Sequence, residues 1–302
     1  MNCAEPFALN ASNSAAPVTA CEDKRIPVAN GLSLHARFYE GGDKTPVLCL
    51  HGLTRNAADF EELAPKIAGT GRDVLALTFR GRGASDYDPD YLNYHPLQYR
   101  DDVLTAMDAL NLPEAVFVGT SLGGITTMLV NESAPERVKA AIINDVGPEL
   151  APEGIARIAG YAGKTKTDVS DLEEAAAEIR AVNGVAFPDA DEAFWLAFAR
   201  RTFRENPDGS WTLAYDPNIG KALTEVGAAP DLWAPFESLK NKPTLIIRGG
   251  ISDLLSPEIV SKMRAVHPNF DYAEIANVGH APMLTEPAAW DAIENFLKRM
   301  PK

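Results

Sequence analysis

Three residue types that could do chemistry together occur in this chain in a suggestive order: Ser121, Asp253 and His280. A serine hydroxyl is a weak nucleophile until a base takes its proton, and the base needs an acid to orient it. Ser121 lies within Gly119-Thr120-Ser121-Leu122-Gly123, directly after the apolar, β-branched run Ala115-Val116-Phe117-Val118. That run reads as a buried strand, and Ile125, Met128 and Leu129 share a face of the helix expected next. Ser121 therefore falls where a strand turns sharply into a helix, with small residues on both sides so that strand and helix can approach closely. This is the pattern of a nucleophile elbow, which exposes the hydroxyl above a sheet.

The other two residues also follow expected strands. Thr244-Leu245-Ile246-Ile247-Arg248 runs into Gly249-Gly250-Ile251-Ser252-Asp253, and Tyr272-Ala273-Glu274-Ile275-Ala276-Asn277-Val278 into Gly279-His280. Open α/β sheets place their sites beyond the carboxyl ends of parallel strands. His280 is the expected general base, because none of His35, His51, His95 and His267 ends a late strand after the serine and a candidate acid. Asp253 is the expected acid. Asp145 is its rival, because Ile143-Asn144-Asp145 also ends a strand; the alternative role for Asp145 is to fix the pocket floor. The strand Pro46-Val47-Leu48-Cys49-Leu50 ends in His51-Gly52-Leu53-Thr54. The amides of Leu53 and Leu122 are the expected oxyanion-hole donors, each worth roughly 3 to 4 kcal/mol in acyl transfer.

These motifs, with the loop Arg80-Gly81-Arg82-Gly83-Ala84-Ser85, make the chain similar to the α/β-hydrolase superfamily over about residues 24–300. The resemblance implies a mostly parallel twisted sheet with helices on both faces, an inserted helical cap, and no cofactor. A serine at the elbow disfavours the dehalogenase and epoxide-hydrolase branches, which use a carboxylate nucleophile. It favours acyl transfer through an acyl-enzyme on small to medium esters, lactones included. Carbon–carbon hydrolysis of ring-fission products is the enzymatic alternative. Its members carry a Gly-Pro-Gly-rich stretch after His-Gly, where this chain has Thr54-Arg55-Asn56-Ala57. A non-catalytic ligand-binding protein on the same fold is the alternative of a different class.

The elements needed to position these groups are legible. Residues 24–39 read as a hairpin about Asn30-Gly31, with Leu32, Leu34, Ala36 and Phe38 alternating along its second strand. Core strands follow near Val47, Val74, Val116, Ala141, Leu245 and Tyr272. Tyr99, Val103, Met107 and Leu110 make one helix face; Ser256-Pro257 starts another helix, and Pro287 opens the last, burying Trp290, Ile293 and Leu297. Alternating strands and helices mean a sheet covered on both sides. The core is expected over 23–148 and 240–302, and the cap over 149–239. Within the cap, Ser170 and Glu173 suggest a capping box, and Phe194, Trp195 and Phe198 an aromatic stripe. The stripe is core-like by spacing, with Trp195 and Phe198 candidates for the pocket roof over Gly52 and Asp145; His51 is structural in its His-Gly turn or else lines the pocket. Arg200-Arg201 could hold a substrate carboxylate or simply be a solvated helix end. Asp86 and Asp88 read as structural.

A net charge of −14 argues against nucleic acid and anionic membrane surfaces as partners, and no apolar run of about 18 residues suggests a membrane span. Three cysteines (Cys3, Cys21 and Cys49) do not suggest a disulfide framework, so a reducing cytosol fits best. Residues 1–22, rich in Ala, Asn, Ser and Pro, lack the features of a secretory signal. They read as a mobile arm, or as a tail packing on a neighbouring subunit; a homodimer through arm or cap is compatible with the sequence. No metal-ligand spacing, Walker motif or dinucleotide fingerprint is present.

Overall fold

The computed structural model of the chain describes residues 21–225 and 231–300. The expected arm over 1–22 lies outside the described residues except for Cys21 and Glu22, which already belong to the first strand. Cys21 is disulfide-bonded, against the expectation from the cysteine count, and Cys49 is a free, buried thiol.

Strand β1 (Cys21–Pro27) pairs antiparallel with β2 (Ser33–Leu50) across the expected hairpin, whose turn residues Asn30 and Gly31 both have positive φ. Strand β3 (Arg72–Thr78) lies between the two halves of β2: Tyr39 and Val47 both face Val74. The end of β2 runs parallel to β4 (Ala115–Thr120), which runs parallel to β5 (Val138–Asn144). Helices α1 (Leu63–Ala68), α2 (Pro96–Ala109) and α3 (Leu122–Ser133) connect these strands.

The sheet then waits while the chain builds a separate layer. Helix α4 (Pro152–Tyr161) leads to β6 (Asp168–Val169), α5 (Leu172–Asn183), α6 (Glu192–Thr202), β7 (Phe203–Glu205), β8 (Trp211–Leu213) and α7 (Asn218–Glu225). Strands β6, β8 and β7 form a small antiparallel sheet, so this insertion is not purely helical. Its capping box is shifted by one residue from the expected one. Asp171 caps the amide of Glu174, and Glu174 reaches back to the amide of Ser170. Helix α8 (Trp233–Ser238) already packs on α3, where Asn131 donates to Ser238 Oγ at 2.8 Å. Strand β9 (Thr244–Gly249) then joins β5, and helix α9 (Pro257–Val266), strand β10 (Asp271–Ile275) and helix α10 (Pro287–Lys298) complete the sheet and its cover.

The period-2 alternation of strands divides the core into two. Leu48, Leu50 and Phe117 face the side that carries α2, α3 and α9 and continues into the insertion. Val47, Cys49, Val116 and Val118 face α1 and α10, against Leu63, Ile67, Ile293 and Phe296. This is an α/β-hydrolase fold, with a mostly parallel sheet covered on both faces.

Two basic residues brace the loop after β3. Arg80, wholly buried, donates to Asp102 at 2.5 and 2.7 Å and to Asp88 at 2.6 Å. Arg82, equally buried, donates to the carbonyls of Arg80 and Leu53 and to Tyr99 Oη. Asp86 accepts from Arg25 and from the amide of Ser33, so both aspartates of this loop are structural. No described helix is long and apolar enough to cross a membrane.

Candidate active site

The turn from β4 into α3 holds Ser121 at φ 52° and ψ −114°, a conformation an L residue rarely adopts. Such a residue costs of order 1–3 kcal/mol and persists only where its surroundings force it. The two flanking glycines show what forces it. A Cβ on Gly119 would sit 2.4 Å from the carbonyl oxygen of Gly123, and one on Gly123 would sit 2.0 Å from that of Leu50. Strand, turn and helix can close this tightly only without those side chains.

Ser121 Oγ lies 3.0 Å from His280 Nε2, and His280 Nδ1 lies 2.8 Å from Asp145 Oδ2. Asp145 is completely buried at the end of β5, itself at φ 56°. It also accepts from the amide of Gly249 at 2.8 Å and from Ser252 Oγ at 2.7 Å. Three donors aimed at one carboxylate fix its orientation. It in turn favours the tautomer that carries the imidazole proton on Nδ1, leaving Nε2 free to accept from the serine.

Asn144 joins the three parts. Its carbonyl accepts from the amide of Ser121 at 2.9 Å, and its side-chain amide donates to the carbonyl of Pro282, two residues beyond His280, at 2.8 Å.

Asp253 is not the partner of His280, which corrects the expectation from chain order. Arg157 of α4 takes it, at 2.5 and 2.9 Å. The guanidinium holds the Asp253 carboxyl below its ordinary range despite burial, which acts the other way. This ion pair, with the amide bonds Gly154 to Asp253 and Ala151 to Leu254, ties α4 to the loop after β9. Sequence reasoning could not see Arg157, because its partner lies 96 positions away.

The amides of Leu53 and Leu122 have no hydrogen-bond acceptor within the protein among the described residues. Leu122 is the first residue of α3, where amides have no intrahelical partner. The peptide between Gly52 and Leu53 is aimed from beneath. His51 Nδ1 donates to the Gly52 carbonyl at 2.7 Å, as does the amide of Arg55 at 3.2 Å. A trans peptide points its N–H opposite its C=O, so fixing that carbonyl directs the Leu53 amide the other way. His51 Nε2 accepts from the amide of Phe79 at 3.0 Å, which leaves the ring neutral with its proton on Nδ1. Burial holds its pKa down at about 3. His51 thus lies under the loop and does not line the cleft.

The cleft above Ser121 encloses about 890 Å³ including its open mouth. Gly52, Leu53, Ser121, His280 and Phe198 line it, as expected or consistent with expectation. Trp195 does not; it stacks behind Phe198 at a ring separation of 6.1 Å. Asp145 lies below the cleft and reaches it through His280. Sequence reasoning missed Arg55, Tyr161, Thr202 and Tyr215 in the lining. Arg55 stood in view only as a departure from Gly-Pro-Gly. Arg201 does not line this cleft: it is buried, held by Glu61 and Glu62, and its carbonyl accepts from Asn56. Arg200 lies 5.9 Å over the ring of Trp211. Among the described residues no cluster of three or more His, Cys, Asp or Glu is placed to hold a metal ion.

Known proteins resemble this chain over most of its length. A crystal structure of an alpha/beta hydrolase from Novosphingobium aromaticivorans DSM 12444 is 41% identical, with a TM-score of 0.85, covering 92% of this chain and 98% of that one. The 3-hydroxybutyrate-oligomer hydrolase of Cupriavidus necator is 33% identical over 83% of this chain and 88% of its own length. The mouse sn-1-specific diacylglycerol lipase ABHD11 is 26% identical over 94% and 92%. Residues 45–287 match the family defined by the alpha/beta hydrolase fold, and with a relative at this identity over most of both chains, the protein belongs to that family of hydrolases.

Proposed function

We propose that the protein hydrolyses carboxylic esters through Ser121, His280 and Asp145, by way of an acyl-enzyme. The carrying observation is the unbroken hydrogen-bonded line from Ser121 Oγ through His280 to buried Asp145, opening on a cleft, with the amides of Leu53 and Leu122 uncommitted among the described residues.

In this reading His280 Nε2 takes the Ser121 proton as Oγ attacks the ester carbonyl. The tetrahedral oxyanion is received by the Leu53 and Leu122 amides. Asp145 stabilises the imidazolium without itself taking the proton. His280 then protonates the leaving alcohol, which departs and leaves Ser121 acylated. Water, deprotonated by the same nitrogen, attacks the acyl group and releases the acid. Similarity to the 3-hydroxybutyrate-oligomer hydrolase of Cupriavidus necator supports the choice of esters, as does similarity to the mouse sn-1-specific diacylglycerol lipase.

The test is a substrate panel: p-nitrophenyl acetate, butyrate and octanoate, a lactone, and a dienoic ring-fission product, each with wild type and Ser121→Ala. Ester turnover by wild type that is lost in the variant supports the reading. Turnover of the ring-fission product alone replaces it with carbon–carbon hydrolysis.

A further inference from the structure

The walls of the cleft differ in chemistry. Ile179, Val182, Phe187 and Met283 contribute apolar surface. Arg55, Asp59 and Thr202 bring polar groups into the same space. Arg55 and Asp59 are nearly desolvated, with 12% and 15% of their side chains exposed. Such groups are expensive to bury unless they are paired.

They are paired in a particular way. Arg55 Nε lies 2.8 and 3.1 Å from the two oxygens of Asp59, and Nη2 also donates to Asp59. Nη1 donates to Thr202 Oγ1, and the guanidinium lies 3.8 Å over the ring of Phe198. A guanidinium has five N–H groups, so one on Nη1 and one on Nη2 remain. Gly52 neighbours both the base of this side chain and the nucleophile. A Cβ built on Gly52 would have Arg55 Cγ at 3.5 Å and Ser121 Cβ at 3.8 Å. Because Asp59 cancels the charge, the pair carries directed N–H donors but no net charge. Its chemistry suits a neutral oxygen better than a carboxylate.

We infer that Arg55, fixed by Asp59 and Thr202, is a specificity-determining residue that selects esters bearing a second oxygen function, a hydroxyl or a carbonyl, close to the scissile carbonyl. This rests on the ester-hydrolase reading above. An apolar pocket rejects an added hydroxyl only weakly, whereas a site built to hydrogen-bond an oxygen strongly disfavours the analogue that lacks it, because its own donors are then left unpaired. A hydrogen bond from a charged donor is worth ~10- to 100-fold in relative rate.

The experiment compares kcat/KM for p-nitrophenyl 3-hydroxybutyrate and p-nitrophenyl butyrate. Wild type is expected to favour the hydroxylated ester by ~10-fold or more. In Arg55→Met that ratio falls to near one, whatever happens to the absolute rates. Asp59→Asn gives an independent reading, since it leaves Arg55 uncompensated. It should shift preference toward the free acid of the 3-hydroxybutyrate dimer relative to its methyl ester. A wild-type ratio near one, or a ratio unchanged by Arg55→Met, overturns the inference while leaving ester hydrolysis intact. Turnover of neither p-nitrophenyl ester overturns the ester reading and this inference with it.

Discussion

Replacing Asp145 with Asn should disable the site, and replacing Asp253 with Asn should not. Asp145 Oδ2 accepts from both His280 and Ser252, at 2.8 and 2.7 Å, while Oδ1 accepts from the amide of Gly249 at 2.8 Å. An Asn has one oxygen to offer three donors. With its NH2 group in place of Oδ2, it drives the imidazole to the other tautomer, whose proton faces Ser121 and which cannot act as base. With the NH2 in place of Oδ1, it meets the Gly249 amide donor to donor. Loss of the orienting carboxylate in a serine triad lowers kcat by ~10⁴, or about 5 kcal/mol. We therefore expect Asp145→Asn to lower kcat on p-nitrophenyl butyrate by 10³- to 10⁴-fold on the order of that precedent, with little change in KM. Among the described residues Asp253 forms its ion pair with Arg157, and the two side chains are 30% and 16% exposed, so its loss should cost about 1 kcal/mol or less. The consequence is a looser α4 and a several-fold rise in KM at most. Circular dichroism would confirm that both variants fold. Should Asp253→Asn abolish turnover while Asp145→Asn retains it, the assignment of the acid is wrong.

Other perturbations test the fold that holds these groups. His267 is 1% exposed, packs against Phe236 and Phe270, and has no hydrogen-bond partner for either ring nitrogen among the described residues. Burial lowers its pKa, so the unfolded chain takes up a proton there near pH 6.5 while the folded chain does so only at lower pH. The stability it permits is complete above pH 6.5 and declines below it; His267→Phe should raise the unfolding free energy from urea denaturation at pH 7.5 by about 1 kcal/mol, and by more at pH 5.5. Gly123→Ala places a Cβ 2.0 Å from the Leu50 carbonyl, so the variant should fail to give soluble folded protein or lose several degrees of Tm together with all activity. Arg80→Met strands Asp102 and Asp88 without their shared cation, at a cost of about 3–5 kcal/mol by chemical denaturation, whereas a loss below 1 kcal/mol would show that these carboxylates find other partners.

What was legible in the sequence is what local pattern dictates. The elbow is a contiguous five-residue device, and its glycines have one physical reason to be there. The Asn30-Gly31 hairpin and the Ser256-Pro257 helix start are local in the same sense, and the structure contains both. The acid was a different problem. Asp145 and Asp253 follow β5 and β9, which are adjacent in the sheet, so position along the strand could not separate them. Two facts decide between them, and both are tertiary: Arg157 descends from the inserted layer to claim Asp253, while Ser252, its chain neighbour, turns toward Asp145. The small β6-β8-β7 sheet was hidden because its strands are two or three residues long, too short for alternation to register. The His-Gly turn offers His51 a structural role or a place in the pocket lining; the structure gives it the first, one layer down, shaping the loop through the Gly52 carbonyl.

The central claim is that Ser121 is the nucleophile, and covalent trapping tests it most directly. Folded wild type treated with a fluorophosphonate should gain the mass of one phosphonyl group, map it to the peptide containing Ser121, and lose ester hydrolysis in step with labelling. Ser121→Ala should take up none. A folded wild type that stays unlabelled, or that carries the group elsewhere while ester hydrolysis continues, would contradict the account.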